Sequence, residues 1–271
     1  MSNTQLRIVS ALVLAMIVTL CLIIGKSATI LFIGLVGFFV IDEFILNFLN
    51  FNRSNKSYMV SISTFVAGFF YFNFFDHSDA LTKGVNSLGL IMSGALIYYL
   101  FITKHDSLKI QKFLGKYTVL VGLLILIPFI NLSALVHEKQ WLLKMIGLVI
   151  LNFSVDTGAW FWGKNFGKTK LWPKVSPKKT VEGFVGGVIS SVFITGVYWS
   201  VFLKVPTPFI FVCFFLIATC SQVGDLVQSK MKRQFDIKDS SNLIPGHGGV
   251  YDRVDSLLFV APLYLWLMLQ M

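Results

Sequence analysis

The sequence predicts an all-α integral membrane protein, a polytopic helical bundle of about nine transmembrane helices. Of its 271 residues, 55% are hydrophobic and only 13% are charged, whereas soluble domains carry about 25% charged residues. The mean hydropathy is +0.75. Phenylalanine accounts for 27 residues, and long apolar runs rich in aromatic residues would aggregate in water. These observations exclude a soluble globular protein and indicate that lipid surrounds most of the chain.

Nine apolar stretches are separated by charged interruptions, and each approaches the roughly 20 residues that a helix needs to cross a bilayer. A cleaved signal peptide is the alternative interpretation of the first stretch, but its apolar run is long for that role and further spans follow at once. The sequence therefore predicts nine spans. They cover residues 8–25, 28–50, 58–75, 85–102, 117–136, 141–162, 181–203, 208–227 and 250–271.

The basic residues are distributed unevenly between the two sides of this predicted bundle. Short loops rich in Lys and Arg remain in the cytoplasm. Of the 23 basic residues, 18 fall on the side that holds the N-terminus and the loops after spans two, four, six and eight. This asymmetry predicts a cytoplasmic N-terminus and a C-terminus on the opposite side. The 18 residues are Arg7, Arg53, Lys56, Lys104, Lys109, Lys112, Lys116, Lys164, Lys168, Lys170, Lys174, Lys178, Lys179, Lys230, Lys232, Arg233, Lys238 and Arg253.

No internal repeat or long linker divides the sequence, which indicates one integral membrane domain over residues 1–271. Residues 1–140 contribute spans that face lipid or form a homodimer interface. Residues 141–271 form the predicted catalytic part, with cytoplasmic loops at 163–180 and 228–250. Basic residues so close to the hydrocarbon attract anionic lipid headgroups and argue against nucleic acid as a partner. Because carboxylates share these loops, phosphate recognition is the alternative role.

Asp225 lies near the end of the eighth predicted span, within a stripe of polar residues on one helical face. Ser221 and Gln222 precede it by one turn, and Gln228 and Ser229 follow it by one turn. Serine and glutamine alone would indicate hydrogen bonds between membrane helices. An acid inside a span costs about 2.5 to 3.5 kcal/mol on insertion scales, so its presence in the stripe favours a functional site.

Asp252 and Asp255 open the last span three residues apart, on one helical face, with Arg253 directed elsewhere. Acids also stabilise a helix N-terminus through the helix dipole, which would account for one of the two. Two acids with Asp225 across the loop are typical of ligands for a divalent cation. Oxygen ligands favour Mg²⁺ or Ca²⁺, and Mg²⁺ often binds one or two carboxylates together with substrate phosphates. We therefore predict that Asp225, Asp252 and Asp255 bind a divalent cation, either Mg²⁺ or Ca²⁺, and we leave a second cation open.

The sequence Pro-Gly-His-Gly-Gly at 245–249 lies just before the last span. Its glycines free the backbone to direct N–H groups toward an anion ahead of a helix N-terminus. A lone histidine donates a hydrogen bond more often than it ligates a metal, and we predict the donor role for His247.

The segment 176–187 ends the loop after span six and begins span seven. Its lysines and hydroxyls are predicted to donate to phosphate, and Glu182 lies at the start of the span. Gly183, Gly186 and Gly187 are predicted to let this helix pack closely on a neighbour. The predicted donors are Ser176, Lys178, Lys179 and Thr180.

Asp42 and Glu43 lie in the second half of the second predicted span, where ionisable groups need a partner or a function. Three roles are open for them. They line a lipid entrance, pair with a base from a loop, or stabilise a subunit interface.

The polar segment between the last two spans also carries a recognisable motif. It reads Ser-Lys-Met-Lys-Arg at 229–233, Lys-Asp-Ser-Ser at 238–241, Ile-Pro at 244–245, His-Gly-Gly at 247–249 and Asp-Arg-Val-Asp at 252–255. This motif resembles the C-terminal motif of the phosphatidate cytidylyltransferases, the CDP-diacylglycerol synthases. The block from Asp156 to Gly187 is similar to the same family, with Trp160 and Val181 where Tyr and Trp are expected.

The resemblance implies an enzyme of phospholipid biosynthesis in a bacterial cytoplasmic membrane. Such an enzyme converts CTP and phosphatidate to CDP-diacylglycerol and pyrophosphate with Mg²⁺. The phosphatidate oxygen that attacks is already anionic, so no strong general base is required. The residues that would catalyse the reaction are Asp225, Asp252, Lys232 and Arg233. Those that would bind the substrates are Ser176, Lys178, Lys179, Thr180, Glu182, Ser229, Lys238, Asp239, His247, Gly248, Gly249 and Arg253.

Two other functions remain alternatives. A CTP-dependent lipid kinase would transfer the γ-phosphoryl group to a prenol-type alcohol and release CDP. An ion-coupled transporter would use Asp42, Glu43, Asp156 and Asp225 as a relay, although the polar residues gather at one membrane face. A CDP-alcohol phosphotransferase is disfavoured, because its closely spaced Asp-Gly and Asp-x-x-x-Asp pattern is not found in the sequence.

Overall fold

The structure, a computed structural model, describes residues 3–103, 109–204 and 208–271. Lys104, which belongs to the predicted basic loop after span four, lies outside these ranges. Within them the chain forms ten α-helices and one small hairpin. The helices are α1 (Asn3–Ile24), α2 (Lys26–Glu43), α3 (Lys56–Phe74), α4 (Asp79–Ile102), α5 (Lys109–Lys116), α6 (Thr118–His137), α7 (Trp141–Phe166), α8 (Val181–Tyr198), α9 (Pro208–Gln234) and α10 (Tyr251–Leu269).

The predicted fold class is confirmed, since the described chain is almost entirely helical. The nine predicted spans correspond in order to all of these helices except the short α5. Seven of the described helices are long and apolar enough to cross a membrane, namely α1, α2, α4, α6, α7, α8 and α9. Helices α3 and α10 are outside this set. α10 begins with the charged residues Asp252, Arg253 and Asp255, which lower its apolar character.

Helices α7 and α9 continue well past the predicted ends of their spans, and the loops that follow them are correspondingly shorter. α7 continues to Phe166 and α9 continues to Gln234, so the predicted loops at 163–180 and 228–250 begin several residues later. In α9 the last turn carries Lys232 and Arg233, which are favoured at the negative end of the helix dipole. Two helices also end in a π-helical turn, Phe44–Phe48 after α2 and Trp199–Leu203 after α8.

A short antiparallel hairpin, which the sequence did not predict, replaces most of the loop between α7 and α8. Strand β1 (Lys170–Trp172) pairs with strand β2 (Ser176–Thr180), with Lys170 opposite Thr180 and Trp172 opposite Ser176. Val175 in the connecting turn is fully buried. The hairpin therefore holds the lysines of β2 in a fixed place instead of leaving them in an open loop.

Helices α7 and α8 lie unusually close together, because glycines occupy the contact. A Cβ atom added at Gly183 would lie 2.7 Å from the carbonyl oxygen of Ala159, and one at Gly187 would lie 2.8 Å from that of Val155. No side chain fits at these positions. The predicted close packing of the helix that begins at Val181 is thus confirmed.

The segments predicted to share one side meet at one end of the bundle. Near the start of α1, Arg7 donates to the carbonyl oxygen of Gly246, and the Glu43 carboxylate at the end of α2 accepts from the N–H of Val250. At the other end, the rings of His77 and His137 stack with their centroids 4.2 Å apart. The arrangement agrees with spans that alternate in direction as predicted.

Lys230 closes the contact between α4 and α9 and is 1% exposed. Its ammonium lies within hydrogen-bonding distance of the carbonyl oxygens of Tyr99 (3.1 Å), Leu100 (2.9 Å) and Thr103 (2.6 Å). These oxygens belong to the C-terminal turn of α4, where carbonyl groups lack helical partners. Lys230 was predicted to be one of the basic residues of a polar loop. In the structure it lies inside the bundle and caps the C-terminal end of α4.

Candidate active site

A cleft of about 350 Å³ opens between α7, α8, α9 and the hairpin, at the end of the bundle where the polar loops meet. Two carboxylates, Asp156 from α7 and Asp225 from α9, line it. Three lysines also line it, Lys164 at the end of α7 and Lys178 and Lys179 on β2. The cleft therefore combines cationic groups that suit phosphate with carboxylates that suit a metal ion.

Asp225 is the most strongly partnered of the cleft carboxylates. Its Oδ2 atom lies 2.6 Å from Nζ of Lys179, and its Oδ1 atom accepts a 3.2 Å hydrogen bond from Ser229. The side chains of Lys179 and Asp225 are 22% and 32% exposed, so the pair is partly shielded from solvent. The position predicted for Asp225 as a site residue is thus consistent with the geometry.

The polar residues one turn before Asp225 form hydrogen bonds between membrane helices, which is the alternative role given above for serine and glutamine. Ser221 donates to Oδ1 of Asn152 on α7 (2.9 Å), and Gln222 donates to the carbonyl oxygen of Phe184 on α8 (3.0 Å). These hydrogen bonds tie the three helices together. They hold α9 at the orientation that directs Asp225 into the cleft.

Two further carboxylates lie close to Asp225. The charges of Asp156 and Asp255 both interact with that of Asp225. Asp156 was predicted only as part of a transporter relay and as a position of the family resemblance, and not as a catalytic, substrate-binding or metal-binding residue. An acid in the middle of a predicted span was the signal that could have placed it there.

Asp252 holds the polar segment together. Its Oδ2 atom accepts from the N–H and hydroxyl of Ser240 (2.7 and 3.0 Å) and from the N–H of Gly249 (3.0 Å). Its Oδ1 atom accepts from Lys232 (2.7 Å) and from Gln228 (3.4 Å). Both oxygens are therefore taken by groups of the chain itself, as is typical of a buried carboxylate that is fully solvated by the protein.

The predicted triad of Asp225, Asp252 and Asp255 is not assembled as one metal site. Across the described ranges, no three side chains of His, Cys, Asp or Glu lie close enough to hold one ion. The physical reason is the orientation of Asp252 toward Ser240 and Gly249. Lys232 nevertheless connects two of the acids, since it pairs with Asp252 and its charge also acts on Asp225.

The turn at 245–249 is closed by its own backbone and by α1. Gly246 and Gly248 have φ values of 76° and 86°, which only glycine adopts without strain. The N–H of His247 donates to Ile244 (2.9 Å), and that of Gly249 donates to Asp252. The prediction that the turn offers its N–H groups to an anion is therefore wrong for these two residues, because protein oxygens already accept from them.

Helix α1 contacts this turn at three points. Arg7 donates to the carbonyl oxygen of Gly246 (2.9 Å). The hydroxyl of Ser10 donates to the carbonyl oxygen of Pro245 (3.2 Å) and lies 2.7 Å from Nδ1 of His247. His247 is thus hydrogen-bonded to Ser10, and because the ring tautomer decides which group donates, the donor role of His247 stays a prediction. Burial lowers the pKa of His247, and the charges of Arg253 and Arg7 lower it further, so its ring is neutral at pH 7.

The remaining residues predicted for this segment are exposed. Lys238, Asp239 and Arg253 face solvent, and the charge of Arg253 reaches both Asp156 and His247. Arg233, predicted to be catalytic, is also exposed and donates to the carbonyl oxygen of Ile237. The structure therefore uses Arg233 to close the end of α9 and does not direct it toward the cleft.

The predicted phosphate donors before α8 divide into two groups. Lys178 and Lys179 line the cleft, and Thr180 lines it while its oxygen accepts the N–H of Gly183 and caps α8. Ser176 is half-buried in the hairpin opposite Trp172. Glu182 does not line the cleft, because its carboxylate accepts from the N–H groups of Lys168 and Thr169 and orders the chain before β1.

The two acids of α2 have separate partners. Asp42 forms a bidentate contact with Arg53 (3.1 and 2.8 Å) and accepts from the hydroxyl of Tyr58 (2.7 Å), which confirms pairing with a base from a loop. Glu43 instead reaches the segment before α10 and accepts from Ser240 (2.9 Å) and Ser241 (2.6 Å). Residues 1–140 therefore supply direct contacts to the polar segment in addition to membrane spans.

Comparison with known proteins gives a consistent result. A profile of the Cytidylyltransferase family matches residues 5–271. A phosphatidate cytidylyltransferase of Bacillus subtilis (strain 168) is 45% identical over 121 residues, which is 44% of this chain and 45% of that protein. Proteins of the same name match at 46% over 116 residues in Staphylococcus saprophyticus (42% of this chain and 45% of that protein) and at 41% over 122 residues in Staphylococcus aureus strain COL (45% and 47%). In each case the chain covers less than half the length of the relative.

Proposed function

The chain belongs to the cytidylyltransferase family, and on this premise we propose that it is a phosphatidate cytidylyltransferase, a nucleotidyltransferase that forms CDP-diacylglycerol and pyrophosphate from CTP and phosphatidate. The observation that carries the proposal is the cleft at one end of the bundle. It brings lysines and carboxylates together where membrane helices meet polar loops. A phospholipid and a soluble nucleotide can both reach such a place.

The cleft suits two substrates that each carry phosphate groups. Lys164, Lys178 and Lys179 supply positive charge at its edge, and hydrogen bonds between ammonium groups and phosphate are strengthened by that charge. Trp160, which is 63% exposed, lines the same cleft together with Phe184. These aromatic side chains provide an apolar surface for the glycerol and acyl part of a lipid.

The proposed reaction is an in-line substitution at the α-phosphorus of CTP. A phosphate oxygen of phosphatidate forms the new P–O bond, the bond between the α-phosphorus and the bridging oxygen breaks, and pyrophosphate leaves with the electron pair. Because the attacking oxygen is already anionic, the protein needs to hold the substrates in line and to neutralise charge. Lys178 and Lys179 are placed for the second task.

The donor chemistry of the cleft fits Mg²⁺. Asp225 and Asp156 line the cleft as hard oxygen ligands, and the charge of Asp255 interacts with both. Mg²⁺ in nucleotide sites is held by one or two carboxylates together with phosphates and water. We assign Asp225 and one of its two carboxylate neighbours to the ion. When bound, Mg²⁺ supplies Lewis-acid neutralisation of the triphosphate and the leaving pyrophosphate. Asp252, saturated by five donors, is assigned to holding the polar segment.

We assign the cleft to the cytoplasmic face of a bacterial cytoplasmic membrane, with the N-terminus on the same side and the C-terminus opposite. The support is the uneven distribution of Lys and Arg, since 18 of the 23 lie in segments assigned to the side that carries the cleft and such segments remain in the cytoplasm. This orientation lets CTP enter from the cytoplasm. A cysteine-labelling experiment from each side of the membrane tests it directly.

The proposed activity is tested with purified protein in detergent. Pyrophosphate should be released from CTP only when phosphatidate and Mg²⁺ are both present, and CDP-diacylglycerol should accumulate in equal amount. Release without phosphatidate would overturn the proposal. Accumulation of CDP with a prenol-type acceptor would identify the lipid kinase instead, and ion-coupled uptake into proteoliposomes without CTP chemistry would identify a transporter.

A further inference from the structure

Glu43 is an acid in the N-terminal half of the chain that faces the catalytic half. It is 4% exposed and accepts four hydrogen bonds. The donors are the hydroxyls of Ser240 (2.9 Å) and Ser241 (2.6 Å) and the N–H groups of Val250 (2.8 Å) and Tyr251 (2.9 Å). A buried carboxylate needs such donors to offset its lost hydration. All four lie in the segment that leads into α10.

Two of these donors belong to the N-terminus of α10. Val250 is the cap residue of that helix and Tyr251 is its first residue, so their N–H groups have no acceptor within the helix. A carboxylate at this position satisfies both groups and also interacts favourably with the helix dipole. Glu43 therefore caps α10 from another helix, in place of a side chain from the segment itself.

Residues beside Glu43 also contact the segment 240–251. Asn47, one turn later, donates to the carbonyl oxygen of Ser240 (2.8 Å). A Cβ atom at Gly249 would lie 2.6 and 2.8 Å from the two carboxylate oxygens of Glu43, so only glycine permits this approach. The ring of Phe44 also packs edge-on against that of Tyr251, with centroids 6.2 Å apart.

Ser240 links Glu43 to the site. Its hydroxyl oxygen lies 2.9 Å from Oε2 of Glu43 and 3.0 Å from Oδ2 of Asp252, and its N–H also donates to Asp252. The single hydroxyl hydrogen of Ser240 is shared between the carboxylates of Glu43 and Asp252, so the position of either acid constrains the position of the other. Asp252 in turn pairs with Lys232 on α9. A continuous set of hydrogen bonds thus runs from α2 to the helix that carries Asp225.

We propose that Glu43 is a positioning residue for the reaction, which fixes the segment 240–251 and, through Ser240 and Asp252, the end of α9 relative to the cleft. This inference rests on the proposed cytidylyltransferase activity. Glu43 itself touches neither substrate. Its effect comes from holding groups in line, and small misplacements of such groups lower the turnover number more than they lower binding.

The chain contains a matched control for this proposal. Asp42 is the neighbouring residue, also buried and also acidic, but its partners are Arg53 and Tyr58. None of the hydrogen bonds that Asp42 forms with the described residues reaches the segment 240–251. Replacement of Asp42 removes a buried charge of the same helix without changing the contacts of α10. The activity of an Asp42 variant therefore measures the effect of a general loss of stability.

The variants Glu43→Gln, Glu43→Asp and Asp42→Asn should be compared as full-length proteins in detergent. We expect Glu43→Gln to lower kcat at least about tenfold with a smaller change in the KM for CTP, because the amide nitrogen that replaces one carboxylate oxygen cannot accept from the two donors that face it. Glu43→Asp keeps the charge and should recover part of kcat. Asp42→Asn should retain the kcat of the wild type per folded molecule.

Hydrogen exchange supplies a readout that does not depend on activity. The amide hydrogens of Val250 and Tyr251 bond to different oxygens of Glu43, so at least one of them should exchange about ten times faster in Glu43→Gln than in the wild type. Both should exchange at the wild-type rate in Asp42→Asn. If Glu43→Gln does not fold, Ser241→Ala removes one of the four donors and should show both effects at smaller size.

The outcomes separate this inference from the proposed function. Wild-type protein that lacks phosphatidate-dependent release of pyrophosphate overturns the proposed function. Active wild-type protein together with a Glu43→Gln variant of equal kcat, or of unchanged exchange at Val250 and Tyr251, overturns the role of Glu43. An equal loss of kcat in Asp42→Asn would do the same, since it would show that both acids act only through stability.

Discussion

The Nζ atom of Lys232 lies 2.7 Å from Oδ1 of Asp252, and the two side chains are only 11% and 5% exposed. This ion pair joins the end of α9 to the start of α10. Removing one partner of a buried pair leaves a charge without compensation. The segment between the two helices therefore depends on both residues.

We expect Lys232→Met to destabilise the protein by about 3 to 5 kcal/mol, because Asp252 would keep its charge in a buried place. Thermal unfolding in detergent, monitored as the loss of monodisperse protein on heating, measures the effect. Arg233→Met is the control, since Arg233 is exposed and donates only to a backbone oxygen, and it should change stability by about 0.5 kcal/mol or less. Equal stability of the two variants would contradict a buried ion pair.

Asp225 is expected to be the acid on which activity depends most. Asp225→Asn should lower kcat/KM about 100-fold or more, because it removes the charge that faces Lys179 and the proposed ion. Asp156→Asn should raise the concentration of Mg²⁺ needed for half-maximal activity about tenfold. Release of pyrophosphate at varied Mg²⁺ measures both, with the exposed Asp236→Asn as a control that should match the wild type. Full activity of Asp225→Asn would remove this residue from the site.

Replacing Lys230 should affect stability and replacing Lys178 should affect substrate binding, although both lysines lie near the same end of the bundle. Lys230→Met leaves the carbonyl oxygens at the end of α4 without a donor, and should destabilise the protein by about 1 to 3 kcal/mol with little change in kcat per folded molecule. Lys178→Met should leave stability unchanged and raise the KM for CTP, because Lys178 lies at the edge of the cleft. Melting temperatures and steady-state kinetics of the two variants test this difference.

The protonation of His247 should make stability depend on pH. Burial and the charges of Arg253 and Arg7 lower its pKa in the folded protein below the ordinary value of 6.5. Below pH 6.5 the unfolded chain binds a proton that the folded chain does not, so stability is full above this pH and falls as the pH approaches the folded pKa. The melting temperature should therefore fall as the pH drops below about 6.5 in the wild type and change less in His247→Asn. Equal slopes in both proteins would exclude His247 as the source.

The helices and their order could be predicted from the sequence, because nine apolar stretches with charged interruptions are a local signal. Ser221 and Gln222 bond to neighbouring helices, which was the alternative role for neutral polar groups inside a bundle. The acid beside them had favoured a functional site for the whole stripe. The end of α9 was placed too early because polar residues were taken to end the span and the helix together. The helix continues beyond the apolar stretch to Gln234.

The partners of the acids could not be predicted in the same way. Glu43 contacts residues 197 to 208 positions away in the chain, and no local pattern encodes such a distance. A carboxylate such as Asp252 is chemically suited to bind a metal ion. The N–H groups that donate hydrogen bonds to it come from the segment 240–249, and they surround it only in the folded protein. Sequence thus located the acidic groups, whereas tertiary contacts decided which of them face the cleft.

The contact between α1 and the turn at 245–249 has a mechanical consequence. Side chains along α1 are largely exposed to the surrounding lipid, while Arg7 and Ser10 hold Gly246 and His247. A membrane helix can meet a change in bilayer thickness by tilting. A change in the tilt of α1 would also act on the contacts that Arg7 and Ser10 make with this turn, so bilayer thickness becomes a variable that reaches the polar segment.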